Sequence, residues 1–198
     1  MHEHRDDTAS KIGMWLFIFT EILLFGGLFI VYAVYRYKNP VAFHLAGEEL
    51  NVMLGTLNTV VLLISSMTIA MAITAMQRGK TELSLRLLYI TIFLAILFMV
   101  NKYFEWGFKF EHGIYPSSEY LQSLSRGDIL FYGLYFFMTG LHALHIIVGV
   151  VFIGFVVYFI KKGKVRQDRY VMLENSGLYW HLVDLIWIFL FPLFYLIH

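Results

Sequence analysis

The sequence contains no cysteine. That absence removes disulfides, thiolate metal centres and cysteine nucleophiles together, and leaves histidine and the carboxylates as the main candidates for ligation or proton transfer. Charge is also scarce: Asp, Glu, Lys and Arg supply 15% of the chain, against ~25% in a soluble domain. Proline occurs three times in 198 residues, so little interrupts helix formation. No internal repeat, low-complexity tract or domain linker is visible, which argues against a transporter built from inverted repeats and broken helices. The formal net charge of +1 gives no ground for a nucleic-acid partner, and none is expected.

What is abundant is apolar residues, at 59% of the chain. A water-soluble core of this size could not hide that much apolar surface. The residues fall into five runs, roughly 12–35, 52–76, 85–107, 129–160 and 176–197, each at or near the ~20 residues a membrane-spanning helix requires. The pattern predicts an all-α, polytopic membrane protein, with five transmembrane helices in one domain over residues 1–198. The third run has a short uninterrupted apolar core, Leu87 to Val100, followed by Asn101, Lys102 and Glu105, but Tyr103, Phe104 and Trp106 extend it as an aromatic interfacial end. The first run is too long for a signal-peptide core, and no small-residue cleavage site follows it. Pro40 and Pro116 are expected in outer loops, and Pro192 is expected to kink the last helix.

Orientation follows from the basic residues between the runs. Placing the N-terminus in the cytoplasm puts ten of them inside (Arg5, Lys11, Arg78, Lys80, Arg86, Lys161, Lys162, Lys164, Arg166, Arg169) and five outside (Arg36, Lys38, Lys102, Lys109, Arg126). The positive-inside rule then predicts a cytoplasmic N-terminus and a periplasmic C-terminus at His198. The long outer segment 108–128 leans acidic through Glu111, Glu119 and Asp128, a surface on which a basic partner could dock.

Polar residues inside the runs are costly in a bilayer and are read first as functional. Glu21 falls nine residues past Ile12, ~13 Å into a ~30 Å hydrocarbon layer. An acid at that depth must face protein or trapped water, either exchanging a proton or joining helices. His142 and His145 share one helix face, as do His181 and Asp184, since both pairs have i, i+3 spacing. Both histidines of the fourth run are expected to face the bundle interior, and Glu21 and Glu105 are the leading partners for them. Counting from the ends of the runs leaves Glu21 and His145 ~9 Å apart in height, which makes Glu105 a competitor for His142. Asn58, Thr59, Ser65, Ser66 and Thr68 in the second run suit close helix packing. No metal or haem is expected in this chain, because the histidines lack a matching second set of ligands.

Taken in order, "GMWLFIFTEILLFGGLF", "LNTVVLLISSMT", "KYFEW", "FFMTGLHALHIIVG" and "YWHLVDLIWIFLFPLFY" resemble subunit III of the haem-copper terminal oxidases, across nearly the whole chain. The resemblance implies an all-helical subunit without a catalytic centre, packed directly against subunit I, with subunit II and other respiratory subunits nearby. Haem and copper would then lie in partner subunits of a proton-translocating complex in the bacterial cytoplasmic (inner) membrane. The implied role is to stabilise subunit I and support proton uptake, with Glu21, Glu105, His142, His145, His181 and Asp184 on the polar positions of the motifs. The long form of the family has seven spans and a lipid-holding cleft between its first two and last five. This chain matches the last five, as bacterial five-helix forms do, which leaves bound phospholipid an open expectation. The electron donor, cytochrome c or quinol, lies outside what this chain encodes. An accessory protein of nitric oxide reductase, similar in sequence, is the alternative reading.

Overall fold

A computed structural model describes residues 7–116 and 118–197; Arg5 and His198, used above for orientation, lie outside them. Apart from an isolated bridge between Arg166 and Arg169, regular structure among the described residues is helical: α1 (Asp7–Lys38), α2 (Pro40–Glu48), α3 (Val52–Gln77), α4 (Thr81–Glu111), α5 (Glu119–Ser123), α6 (Arg126–Lys161) and α7 (Val171–Phe191), closed by a π-helical turn (Pro192–Leu196). The five long apolar elements are α1, α3, α4, α6 and α7 with its π turn. Helices α1, α4 and α6 outrun their hydropathy boundaries at both ends, α7 starts five residues early, and α3 matches its run to within one residue. The 36-residue α6 spans ~54 Å, well beyond a ~30 Å hydrocarbon layer.

Two helices were not anticipated. Pro40 opens α2 at its first turn, where the missing N–H has no helical partner to lose, and Ser118 caps the short α5 by accepting from Leu121 N. The kink expected at Pro192 is instead the π turn, sealed by Ile197 N donating to Pro192 O at 2.9 Å.

Helices α3 and α4 form an antiparallel hairpin around Gly79. This glycine sits at φ +72°, a conformation open to it because it lacks a Cβ, and Lys80 N reaches back to Ala75 O. The register is set by side chains. Thr68 and Thr91, each eleven residues from the Gly79–Lys80 step, share a hydrogen bond at 2.8 Å; Asn58 and Asn101, each twenty-one away, share another at 2.9 Å. The small polar residues of α3 also receive α7, with Trp180 Nε1 donating to Ser65 and Trp187 Nε1 to Thr59, both at 3.0 Å.

Helix α1 is held differently. Its buried residues are Ile18, Phe25 and Tyr32, a single seam with sevenfold spacing against α6 and α7. Glu21 falls between the first two of them, so the seam carries its side chain inward.

Candidate functional site

The six predicted residues divide into three groups. The first is at mid-membrane depth, where His145 Nε2 meets Glu21 Oε2 at 2.9 Å across α6 and α1. The height gap from the sequence count disappears because both helices are longer than their apolar runs. Measured from Asp7 and Lys161, the helix ends at that face, the two residues sit ~21 and ~24 Å deep. The other ring nitrogen, Nδ1, lies 2.7 Å from Leu141 O. A carbonyl can only accept, so Nδ1 carries a hydrogen and the tautomer is fixed. One proton therefore lies between Nε2 and the carboxyl, whether drawn as imidazolium–carboxylate or as imidazole–carboxylic acid. Phe25 packs against the His145 ring at 5.3 Å, and Tyr179 donates to His145 O at 3.1 Å. Both side chains keep slight exposure, 12% for His145 and 13% for Glu21.

His142, one turn nearer the N-terminal end of α6, is fully buried, and neither ring nitrogen has a hydrogen-bond partner among the described residues. Its ring stacks on Trp187 at 5.3 Å and meets Phe98 at 5.8 Å. The expected bond from His142 to Glu105 is not made. Glu105 is engaged elsewhere.

In the second group sequence reasoning names Glu105 but misses the residues that engage it. Lys102, Glu105 and Lys109 are all buried, and their i, i+3, i+7 spacing on α4 aims them inward while Tyr103 and Phe104 face out. Lys102 Nζ donates to Glu105 Oε2 at 3.0 Å and to the Tyr195 hydroxyl at 2.6 Å. Glu105 Oε1 accepts from Tyr135 at 2.6 Å and from the Tyr195 hydroxyl in a short bond. The carboxylate thus accepts three hydrogen bonds, two at Oε1 and one at Oε2. The Lys102 ammonium also lies 4.9 Å from the Trp187 ring centre, and Lys109 rests 5.2 Å from that of Tyr132. Tyr132 in turn donates to Glu49 at the end of α2. The signal was present in the spacing of Lys102, Glu105 and Lys109, but charges at the end of an apolar run look like solvent-facing residues.

In the third group, His181 and Asp184 share a helix face but do not pair. His181 Nδ1 bonds Ser66 on α3 at 2.7 Å, and Asp184 Oδ1 is buried without a partner among the described residues. Nowhere among those residues do three His, Asp or Glu side chains converge on one point. The donor sets present are pairs that face one another or aromatic rings, which does not fit a metal centre.

The sequence profile of the family described as cytochrome c oxidase subunit III matches residues 1–198. The chain belongs to that family. Among its relatives, the Staphylococcus saprophyticus probable quinol oxidase subunit 3 is 29% identical over 97% of this chain and 90% of its own length. The Thermostichus vulcanus cytochrome c oxidase subunit 3 is 27% identical over 99% and 90%. A third, the Aeropyrum pernix heme-copper oxidase subunit I+III, is 32% identical over 98% of this chain, which spans 24% of that longer protein. These names support a haem-copper oxidase subunit III and not the nitric oxide reductase alternative. A subunit III with five apolar helices is a multi-pass membrane protein and part of an oxidase complex.

Proposed function

We propose that this chain is a single membrane unit of a bacterial oxidase that packs against subunit I, stabilises it and supports its proton uptake, while haem and copper stay in the partner subunits. Its N-terminus lies on the cytoplasmic side of the inner membrane and its C-terminus on the periplasmic side. The Aeropyrum pernix relative is a heme-copper oxidase subunit I+III, the two subunits joined in one protein, which supports direct contact between them here. The observation that carries the proton role is the Glu21–His145 pair: one proton shared across two helices at mid-membrane depth, slightly exposed. Ionisable groups at that depth are costly to maintain and are read first as functional.

The test separates proton handling from packing. Glu21→Gln keeps a group that can hydrogen-bond Nε2 but cannot release the proton. The assembled oxidase carrying it should retain the subunit and show a normal haem spectrum and initial oxygen-reduction rate, with proton uptake slowed in sustained turnover. Unchanged sustained turnover would reduce the pair to a helix joint.

A further inference from the structure

Arg78 and Lys80 flank the α3–α4 turn, and within the described residues neither side chain makes a hydrogen bond or an ion pair. Five other cations at this end of the bundle are engaged, Arg86 and Arg169 not being among them: Lys161, Lys162 and Lys164 lie over the rings of Tyr89, Tyr158 and Phe159, Arg166 pairs with Asp168 at 2.8 Å, and Lys11 pairs with Glu174 at 2.8 Å. Arg78 and Lys80 stand instead at one end of a groove of about 320 Å³ between α3 and α4, whose apolar walls include Met67, Ala70, Met71, Leu83 and Leu87.

The proportions of this groove identify an occupant. From Met67 to Arg78 is eleven residues of α3, or ~16 Å, about half of a ~30 Å hydrocarbon layer. It therefore runs from the headgroup level to the bilayer middle, with both cations at the wet end and only apolar side chains below them, apart from Thr74, whose hydroxyl is already bonded to Ala70 O at 3.1 Å. Exposed Met67 and Met71 form a wall that adapts its shape to a flexible chain. A partner helix would have to lay its end over two uncompensated cations, which an anionic headgroup instead matches in charge.

We infer that this groove binds one anionic phospholipid, with its phosphate between Arg78 and Lys80 and an acyl chain along Met71 and Leu83. The site lies between the second and third spans. Basic pockets between transmembrane helices select anionic headgroups, and two cations should favour phosphatidylglycerol over phosphatidylcholine by about thirtyfold. Glu82, in the first turn of α4, is the nearby acid, and exposed Arg86 one turn further offsets it.

The assembled oxidase is exchanged into phosphatidylcholine nanodiscs doped with phosphatidylglycerol, and the lipid it retains is counted by native mass spectrometry. The expected result is one phosphatidylglycerol lost in the Arg78→Gln/Lys80→Gln double variant and kept in Lys162→Gln/Lys164→Gln, which removes equal charge from the same end. Ala70→Phe should expel it with both cations intact, and since Ala70 is exposed the bundle interior is untouched. Equal loss in both double variants would mean ordinary surface attraction, and equal retention of phosphatidylcholine would remove the headgroup claim. A photo-crosslinking residue at position 71 should label lipid; labelling of a polypeptide would assign the groove to a partner helix and overturn the inference.

Discussion

Replacing Glu105 with leucine tests the Lys102–Glu105 cluster most directly. The substitution leaves Lys102, 3% exposed, with the Tyr195 hydroxyl as its remaining protein partner, and removes the acceptor of both Tyr135 and Tyr195. Breaking a buried ion pair from one side costs about 3–5 kcal/mol, because the stranded charge keeps its desolvation penalty. Against a total stability of about 5–15 kcal/mol, that is a large fraction. The double variant Lys102→Met/Glu105→Leu removes both charges in similar volume, and the two tyrosine hydroxyls, 3.4 Å apart, can turn to each other. It should cost about 1–2 kcal/mol, so the cycle should return a coupling energy of at least ~2 kcal/mol. Unfolding of the purified chain in mixed micelles, titrated with dodecyl sulfate and followed by far-ultraviolet circular dichroism, measures all four corners. A single Glu105→Leu that costs under ~1 kcal/mol, or a double that costs the sum of the singles, would refute the reasoning.

Three further outcomes are expected. His145→Ala removes one interhelical bond, worth ~0.6–2 kcal/mol in a membrane bundle, so detergent should strip the subunit more readily while the haem spectrum stays normal; abolished turnover with the subunit retained would make the histidine catalytic. A Cβ on Gly149 would stand 2.8 Å from the Trp180 ring, whereas one on Gly154 meets nothing within 4 Å, so Gly149→Ala should destabilise by ~1–3 kcal/mol and Gly154→Ala should be neutral or stabilising by up to ~1 kcal/mol, both read in the same titration. Impermeant labels applied outside spheroplasts should miss cysteines placed in the segment Lys161 to Arg169; labelling there would invert the topology.

The spans were legible because the hydropathy of five runs leaves them no soluble alternative. Their ends were not, since hydropathy marks where apolar residues stop and helices continue through polar turns. That error displaced Glu21 and His145 from one another in the count, although both residues were identified. Ser65 and Ser66 read in the sequence as residues for close helix packing, and the helix they meet is α7, through Trp180 and His181; small polar residues suit any close helix contact, and the sequence does not say which. On α1, Gly13, Gly26 and Gly27 do have open space over them, so cross-links to subunit I are expected there. Tyr132, Tyr135 and Tyr195 carried no readable signal, because tyrosine near a span end is ordinarily an interfacial anchor.

The π turn at Pro192–Leu196 has a bearing on how the C-terminal end can vary. In a regular helix Tyr195, eight residues after Trp187, would sit about 80° around the axis from it; the wider turn winds less per residue and returns the phenol to the seam, with its ring 6.3 Å from that of Trp187. The turn therefore acts as a phase corrector between α7 and the Lys102–Glu105 pair. Proline lacks the N–H that would pull this stretch back toward regular α geometry, so the identity of residue 192 is coupled to a hydroxyl three positions on and to a carboxylate on another helix. Substitutions that let the segment rewind should appear in exchange or mutational scans as defects at Glu105, with nothing wrong at the position changed.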